Sequence, residues 1–213
     1  MFINVQHISM DAPNNRRPGI AMEPEYLTIH STANPDSTAQ NERDWLINPS
    51  NTRTASWHLV VDDKEVIEAI PQNEVAWHAG DGRKGTGNKK SISIEICESN
   101  DREKTIINAV KLSAKILHER KWGIDRLKRH YDWSGKHCPR ILECNNWSGW
   151  ENFKIMVSKE LEELSISTWA KEAVDWATSS EINITDGTKP KESITLERMI
   201  TILYRYDKLI QKK

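Results

Sequence analysis

Short apolar runs of strand length alternate with longer helical patterns along most of this chain, which limits the folds open to it. The run at 26–30 (YLTIH) has the length of a buried strand, and 56–70 reads as two strands joined by a tight turn. In 91–97 (SISIEIC) three isoleucines alternate with polar residues, including Glu95, so the two sets lie on opposite faces of one strand.

Helical patterns separate these strands. One follows the first strand, with Ser37 or Thr38 as its N-cap and Pro49 as its end. Apolar stripes predict further helices at 101–121 and 150–164, and 125–130 returns to the sheet between them. Strands that alternate with helices, together with one hairpin, predict an α/β fold with a central mixed β-sheet flanked by helices.

The pattern changes after Leu164. Residues 165–213 read as a small helix-loop-helix module, which divides the chain into domains at 1–164 and 165–213. Fewer than fifty residues bury only a weak core of their own. We therefore expect the module to pack on the first domain or on other copies of itself.

Composition excludes some classes of partner. The net charge of −1 gives no indication of nucleic-acid binding, and no apolar run is long enough to span a bilayer. The first twenty residues lack the pattern of a secretory signal, and three cysteines argue against a disulfide framework. These features predict a protein made in the cytoplasm with a reactive or metal-bound thiol.

The stretch 129–140 (RHYDWSGKHCPR) raises the question of a metal site. Zinc in a catalytic centre takes three protein ligands, usually imidazole nitrogens, thiolates or carboxylates, and keeps one position open. His130 and Cys138 could supply two ligands, and His30, at the end of a predicted strand, could supply the third. The competing candidates, which spacing alone leaves open, are His58, His78 and His137.

Five segments carry a resemblance to a known family. They are YLTIHSTAN, ASWHLVVDD, VAWHAGDG, SISIEIC and RHYDWSGKHCPR. In order and approximate spacing they resemble the type-2 N-acetylmuramoyl-L-alanine amidases, zinc enzymes related to peptidoglycan recognition proteins and phage lysins. The resemblance covers about residues 20–160.

The resemblance implies a role for several residues. His30, His130 and Cys138 match the zinc ligands. Glu95 matches the glutamate that handles the water proton, and Lys136 matches a lysine near the substrate carbonyl. Two further residues match a segment that borders the substrate groove, and they are Trp77 and His78.

The function implied is hydrolysis of the amide between N-acetylmuramic acid and L-alanine in Gram-positive peptidoglycan. The C-terminal module resembles a single S-layer-homology motif, which implies binding to a secondary cell-wall polymer; self-association into a homo-oligomer is the alternative. A catalytic domain with such a tail resembles a phage or prophage endolysin, made in the host cytoplasm and acting on the wall. The remaining alternatives are a bacterial autolysin, a non-catalytic peptidoglycan-binding protein and a muramidase.

Overall fold

The computed structural model describes residues 2–99, 101–165, 171–178 and 196–211 of the 213-residue chain. The chain divides into two compact units, Met1–Ser158 and Lys159–Lys213. The boundary predicted from sequence, after Leu164, lies near the end of a helix that begins in the first unit.

A six-stranded sheet forms the centre of the first unit. Its strands are β1 (Asn4–Val5), β2 (Tyr26–Ser31), β3 (Leu59–Val61), β4 (Val66–Glu68), β5 (Ser91–Ile96) and β6 (Leu127–Arg129). They lie in the order β1-β4-β3-β5-β2-β6. The β3–β4 hairpin is antiparallel and every other neighbouring pair is parallel, so the predicted mixed sheet is confirmed.

Among the described residues of the first unit, three helices connect strands of the sheet, and two begin after the last strand. They are α1 (Ala39–Trp45), α2 (Thr86–Lys90), α3 (Arg102–Glu119), α4 (His130–Ser134) and α5 (Cys144–Ser165). Thr38 caps helix α1, because its side chain accepts a hydrogen bond from the backbone N–H of Asn41. Asp101 caps α3 in the same way through the backbone N–H of Lys104.

The register of the sheet decides which side chains share a face. His30 on β2 and Val60 on β3 both pair with Glu95 on β5, and paired residues of adjacent strands point the same way. Helix α1 packs on this face, where Ala39 joins Val60 and Cys97 in one buried cluster. The three isoleucines of β5 lie on the opposite face and are fully buried. Protein therefore covers most of both faces of β5, and Glu95 lies on the same face as His30.

The structure differs from the sequence prediction in three places. Helix α1 ends at Trp45, before Pro49, because the chain enters tight turns from Leu46 onward. The segments 71–90 and 129–140 read as loops because of their glycines and polar residues, yet each contains a five-residue helix, α2 and α4 respectively. Strand β1 was missed because two residues carry no periodic pattern.

The second unit contains two described helices, α6 (Lys171–Thr178) and α7 (Leu196–Ile210). The rings of Trp176 and Tyr206 meet edge to face, with centroids 5.5 Å apart. The sequence also predicts an Asp-Gly-Thr turn at 186–188 and Thr195 as the cap of the second helix, and both lie outside the described residues. Within the described parts of the chain, no helix has both the length and the apolar character needed to cross a bilayer.

Candidate metal centre and active site

The candidate site lies where the carboxyl ends of three adjacent parallel strands, β5, β2 and β6, reach one edge of the sheet. His30 is the penultimate residue of β2 and lies opposite Glu95 on β5. Strand β6 ends at Arg129, and His130 follows at once as the first residue of α4. This edge is where ligands bind in open α/β sheets, because the loops that leave it diverge and expose side chains.

Cys138 reaches the same place through a reversal of the chain after α4. The helix ends at Gly135, whose φ of 71° is the left-handed conformation that glycine adopts readily. The returning segment is held where the Tyr131 N–H donates to the Cys138 carbonyl at 3.1 Å. The Cys138 thiol then lies 3.8 Å from Nδ1 of His30.

Two imidazoles and one thiol thus converge on a single point. The ligating atoms of His30, His130 and Cys138 lie within 4.8 Å of one another, and all three residues are buried. The two Nδ1 atoms are 3.0 Å apart. Zinc bonds are about 2.0–2.1 Å long to nitrogen and about 2.3 Å long to sulfur. In a tetrahedron, these lengths place two nitrogen ligands about 3.3 Å apart, and a nitrogen and a sulfur ligand about 3.6 Å apart. The donor set therefore fits a tetrahedral zinc ion with one position left open.

The protonation states suit this donor set. Burial lowers the pKa of His130 to about 4. Burial, reinforced by the neighbouring histidines, holds the pKa of His30 well below its usual value. Both rings are therefore neutral near pH 7, which is the form that binds metal. Burial raises the pKa of Cys138 to about 12, so this thiol keeps its proton until a cation displaces it.

Glu95 contributes a carboxyl group to the same edge of the sheet. Its Oε2 atom is buried and has no hydrogen-bond partner. Burial raises the pKa of Glu95 to about 8, with the nearby charge of Glu42 acting in the same direction and Lys136 in the opposite one. An unpartnered carboxylate oxygen is costly inside a protein, so this atom is placed for an interaction that the protein alone does not provide.

A cavity of about 470 Å³ opens over these groups. Aromatic rings and cations share its walls; the aromatic residues are Trp45, Trp57 and Trp77, and the cations are Arg53, Lys136 and Arg140. The buried Arg16 holds one wall, because its guanidinium donates to the carbonyls of Leu46, Asn48, Asn51 and Arg53. The cavity thus offers flat apolar surface and positive charge beside the candidate metal centre.

Trp77 and His78 both line this cavity, and their surroundings differ. Trp77 is half-buried, and its indole N–H donates to the Asn15 carbonyl at 2.9 Å. His78 is buried behind His30, with its Nδ1 only 3.1 Å from Nε2 of His30. The other ring nitrogen of His78 lies 3.0 Å from the Ser91 carbonyl. Both nitrogens of His78 are therefore engaged within the protein.

The sequence matches the N-acetylmuramoyl-L-alanine amidase family over residues 20–141. That range contains the three candidate ligands and Glu95. The chain belongs to this amidase family. It is 44% identical over 172 residues to the N-acetylmuramoyl-L-alanine amidase XlyB of Bacillus subtilis (strain 168), an alignment that covers 78% of this chain. The same alignment covers 51% of XlyB, so the chain spans about half the length of that relative.

Solved structures of amidase-family and endolysin proteins share the fold. The catalytic domain of XlyA superposes with a TM-score of 0.67 at 40% identity, covering 74% of this chain and 99% of that domain. A mutant endolysin from Bacillus subtilis superposes with a TM-score of 0.66 at 41% identity, covering 73% and 98%. The sheet of this amidase-family chain is therefore that of the catalytic domains.

Two of the competing histidines have other partners in this amidase fold. His137 is exposed and pairs with Glu143. His58 is fully buried; its Nδ1 accepts from the backbone N–H of Ser93, and its Nε2 donates to the Glu74 carbonyl. Neither belongs to the group of converging ligand atoms.

Sequence reasoning missed two carboxylates beside the cavity. Glu42 lies in the first turn of α1, three residues after Ala39 and four before Leu46, both fully buried, so this spacing could have shown that it faces the sheet. Glu98 holds the guanidinium of Arg140 through both carboxylate oxygens. That pair joins residues 42 positions apart, and no local pattern reveals it.

Gly80 provides a test of how closely the chain packs around His130. Its φ is +70°, and a Cβ there would meet Ser134 Oγ at 3.0 Å and His130 Nε2 at 3.2 Å. Gly82 is a matched control, with a φ of +82° and nothing within 4 Å of its added Cβ. We expect Gly80→Ala and Gly82→Ala each to lower the free energy of unfolding by about 1–2 kcal/mol, since both place alanine in the left-handed region.

Only Gly80→Ala should also weaken zinc binding, because only its added Cβ would contact the ring of His130. Urea unfolding and zinc titration against a chelator measure the two effects. Equal zinc affinity in both variants would contradict the packing described here.

Proposed function

We propose that this chain is a zinc-dependent N-acetylmuramoyl-L-alanine amidase that hydrolyses the amide between N-acetylmuramic acid and L-alanine in peptidoglycan. The observation that carries the proposal is the convergence of His30, His130 and Cys138 within 4.8 Å at the floor of a cavity that Glu95 also lines. Membership of the amidase family supports it. The XlyB relative is itself named for this activity.

Zinc held by the two imidazoles and the thiolate would supply Lewis acidity, which makes water a nucleophile near neutral pH and polarises an amide carbonyl. The three ligands leave one coordination position open, as catalytic zinc sites do. Strand β2 holds His30, the start of α4 holds His130, and the backbone hydrogen bond from Tyr131 holds the segment of Cys138, so the three groups are positioned in advance.

Glu95 is proposed as the group that moves the proton. Its Oε2 has no other hydrogen-bond partner, so it is free to accept a proton from the attacking water. Its carboxyl then returns that proton to the departing amide nitrogen, which leaves as an amine. A cation at the ligand group would lower the pKa of Glu95 further than Lys136 already does, and so would favour the ionised carboxylate.

Lys136 is proposed to stabilise the negative oxygen of the tetrahedral intermediate. It is exposed, lines the cavity and lies two residues before Cys138. Its positive charge contributes to lowering the pKa of both His30 and His130, which places it near the reacting centre. A cation aimed at a developing oxyanion is worth more in such a partly water-excluded site than in bulk water.

The cavity walls suit a glycan with an attached peptide. Trp77 borders the cavity with a half-buried indole, and the guanidinium of Arg83 lies 5.7 Å from its ring centroid. Indole faces stack on flat or apolar surfaces, whereas the cations of the rim suit the carboxylates of a stem peptide. We propose that Trp77 contacts the substrate, whereas the ring nitrogens of His78 are already engaged within the protein.

Residues 165–213 are proposed as a module that either binds a secondary cell-wall polymer or associates with other copies. Helix α7 supports a docking role, because Met199, Ile200, Leu203 and Tyr204 are exposed along it. Such a stripe normally faces a partner surface. With this tail the chain would act on the cell wall as an endolysin or, alternatively, as an autolysin of the same chemistry.

A muramidase is a second candidate, because Glu42 provides a second carboxyl group near Glu95. Muramidases require two carboxyl groups that flank a glycosidic bond, and Glu42 and Glu95 both line the cavity. The amidase remains the better proposal because a glycosidase has no use for the converging imidazoles and thiol. The two reactions leave different products, namely new L-alanine amino termini or new reducing sugar ends.

Digestion of purified Gram-positive cell walls tests the amidase proposal. We expect fragments with new L-alanine amino termini, identified by mass analysis, and no new reducing ends. Cys138→Ser should abolish this release and the binding of one zinc per chain, since a ligand is lost. Cys144→Ser is the matched control, because that thiol is exposed and lies outside the ligand group.

The control should keep both activity and zinc. Stoichiometric zinc with full hydrolysis in Cys138→Ser would contradict the ligand assignment. Zinc binding with no release of fragments by the unaltered protein would support a non-catalytic wall-binding protein instead.

Glu95→Gln separates proton transfer from metal binding. The amide keeps the shape of the carboxyl but accepts no proton, so we expect turnover to fall by about 10²–10⁴-fold. Zinc content should not change, because Glu95 is not a ligand. Glu103→Gln, on the exposed first turn of α3, is the control and should behave as the unaltered protein does. Turnover within a few-fold of normal in Glu95→Gln would remove Glu95 from the mechanism.

A further inference from the structure

One short segment, residues 77–80, lies behind both candidate histidine ligands. The side chain of His78 stands between His30 and the Ser91 carbonyl. The backbone of the next residue, Ala79, accepts a hydrogen bond from the ring of His130. A single stretch of chain therefore contacts both imidazoles on the sides that face away from the cation position.

The hydrogen bonds through His78 have a fixed direction. The Ser91 carbonyl can only accept, so Nε2 of His78 donates to it across 3.0 Å. A neutral imidazole that donates from Nε2 carries a lone pair on Nδ1. Nε2 of His30 must then donate to that lone pair across 3.1 Å. His30 consequently has no proton on Nδ1, the atom that faces His130 and Cys138.

His130 is fixed by the same reasoning. Its Nδ1 faces His30, and its Nε2 lies beside Gly80, so Nε2 is the atom that donates to the Ala79 carbonyl. A neutral ring that is protonated on Nε2 bears a lone pair on Nδ1. Two nitrogen lone pairs thus face each other across 3.0 Å. They repel each other unless a cation lies between them.

The supporting segment is itself held firmly. The backbone N–H groups of His78 and Ala79 both donate to Oδ1 of Asn88, each at 2.8 Å. The amide nitrogen of Asn88 donates to the Gly82 carbonyl at 3.1 Å. Asn88 belongs to α2, so this five-residue helix holds the backbone of His78 and Ala79 in place.

We propose that His78 is a positioning residue that holds His30 in the tautomer and ring orientation presenting Nδ1 to the metal. This assignment rests on the metal centre of the proposed function and is independent of the substrate. It replaces substrate binding as the role of His78, because both of its ring nitrogens are already engaged and neither is free to bind a peptide. Outer partners of this kind typically change metal affinity by about 10–100-fold when they are removed.

Two variants of matched shape test the proposal. In His78→Asn the amide oxygen lies where the Nδ1 atom of the imidazole was, so this variant keeps an acceptor for His30. His78→Leu has nearly the same shape without the acceptor. We expect His78→Leu to weaken zinc binding by about 10–100-fold in competition with a chelator. His78→Asn should retain most of the affinity, and His118→Leu, at an exposed position on α3, should retain all of it.

A spectroscopic measurement on the unaltered zinc-loaded protein covers the case in which neither variant folds. Nitrogen-15 spectra should show His78 protonated on Nε2 only, with a nitrogen–nitrogen coupling across the hydrogen bond from His30 Nε2 to His78 Nδ1. A proton on Nδ1 of His78, or equal zinc affinity in the Leu and Asn variants, would overturn the proposal. If zinc affinity follows the expected order but walls are not cleaved, the positioning role stands and the amidase proposal fails.

Discussion

Two imidazole lone pairs and a thiol, brought together away from water, are the constraint on which the rest of the site depends. The Nδ1 atoms of His30 and His130 approach to 3.0 Å with their outer nitrogens committed to other partners. Such an arrangement is unfavourable by itself and becomes favourable around a cation. The binding of a metal, as proposed above, would therefore stabilise an arrangement that folding alone disfavours.

The sheet makes this convergence possible. Parallel pairing of β5, β2 and β6 brings their carboxyl ends to one edge, so residues 100 positions apart in sequence become neighbours. The register sets Glu95 beside His30 on the face that α1 covers. Burial keeps both imidazoles neutral and leaves one oxygen of Glu95 without a hydrogen-bond partner, and both properties suit the proposed reaction. The packing that forms the fold therefore also sets the protonation states of the candidate site.

Much of the fold could be predicted from sequence, because its main signals are local. The alternation in 91–97 and the capping residue Thr38 each describe a short segment, and the structure confirms both. Helices α2 and α4 could not be predicted, since each is five residues long and includes a glycine or follows a strand directly. Their stability comes from tertiary contacts such as those of Asn88, which no local pattern records.

The sequence predicted the residues of the candidate site, but not the hydrogen-bond and ion-pair partners of those residues. Family resemblance identified His30, His130 and Cys138, and the structure brings these three together. The engagement of His78 by His30 spans 48 positions, and that of Arg140 by Glu98 spans 42. Sequence spacing carries no information about such pairs, so the partners of the ligands emerged only from the packed structure.

The X-ray absorption spectrum of the zinc-loaded protein tests the central claim most directly, because it reports the atoms bound to the metal. We expect two nitrogen ligands at about 2.0–2.1 Å, one sulfur at about 2.3 Å and a fourth light atom. A zinc ion without sulfur among its bound atoms would contradict this claim, since Cys138 would then not be a ligand.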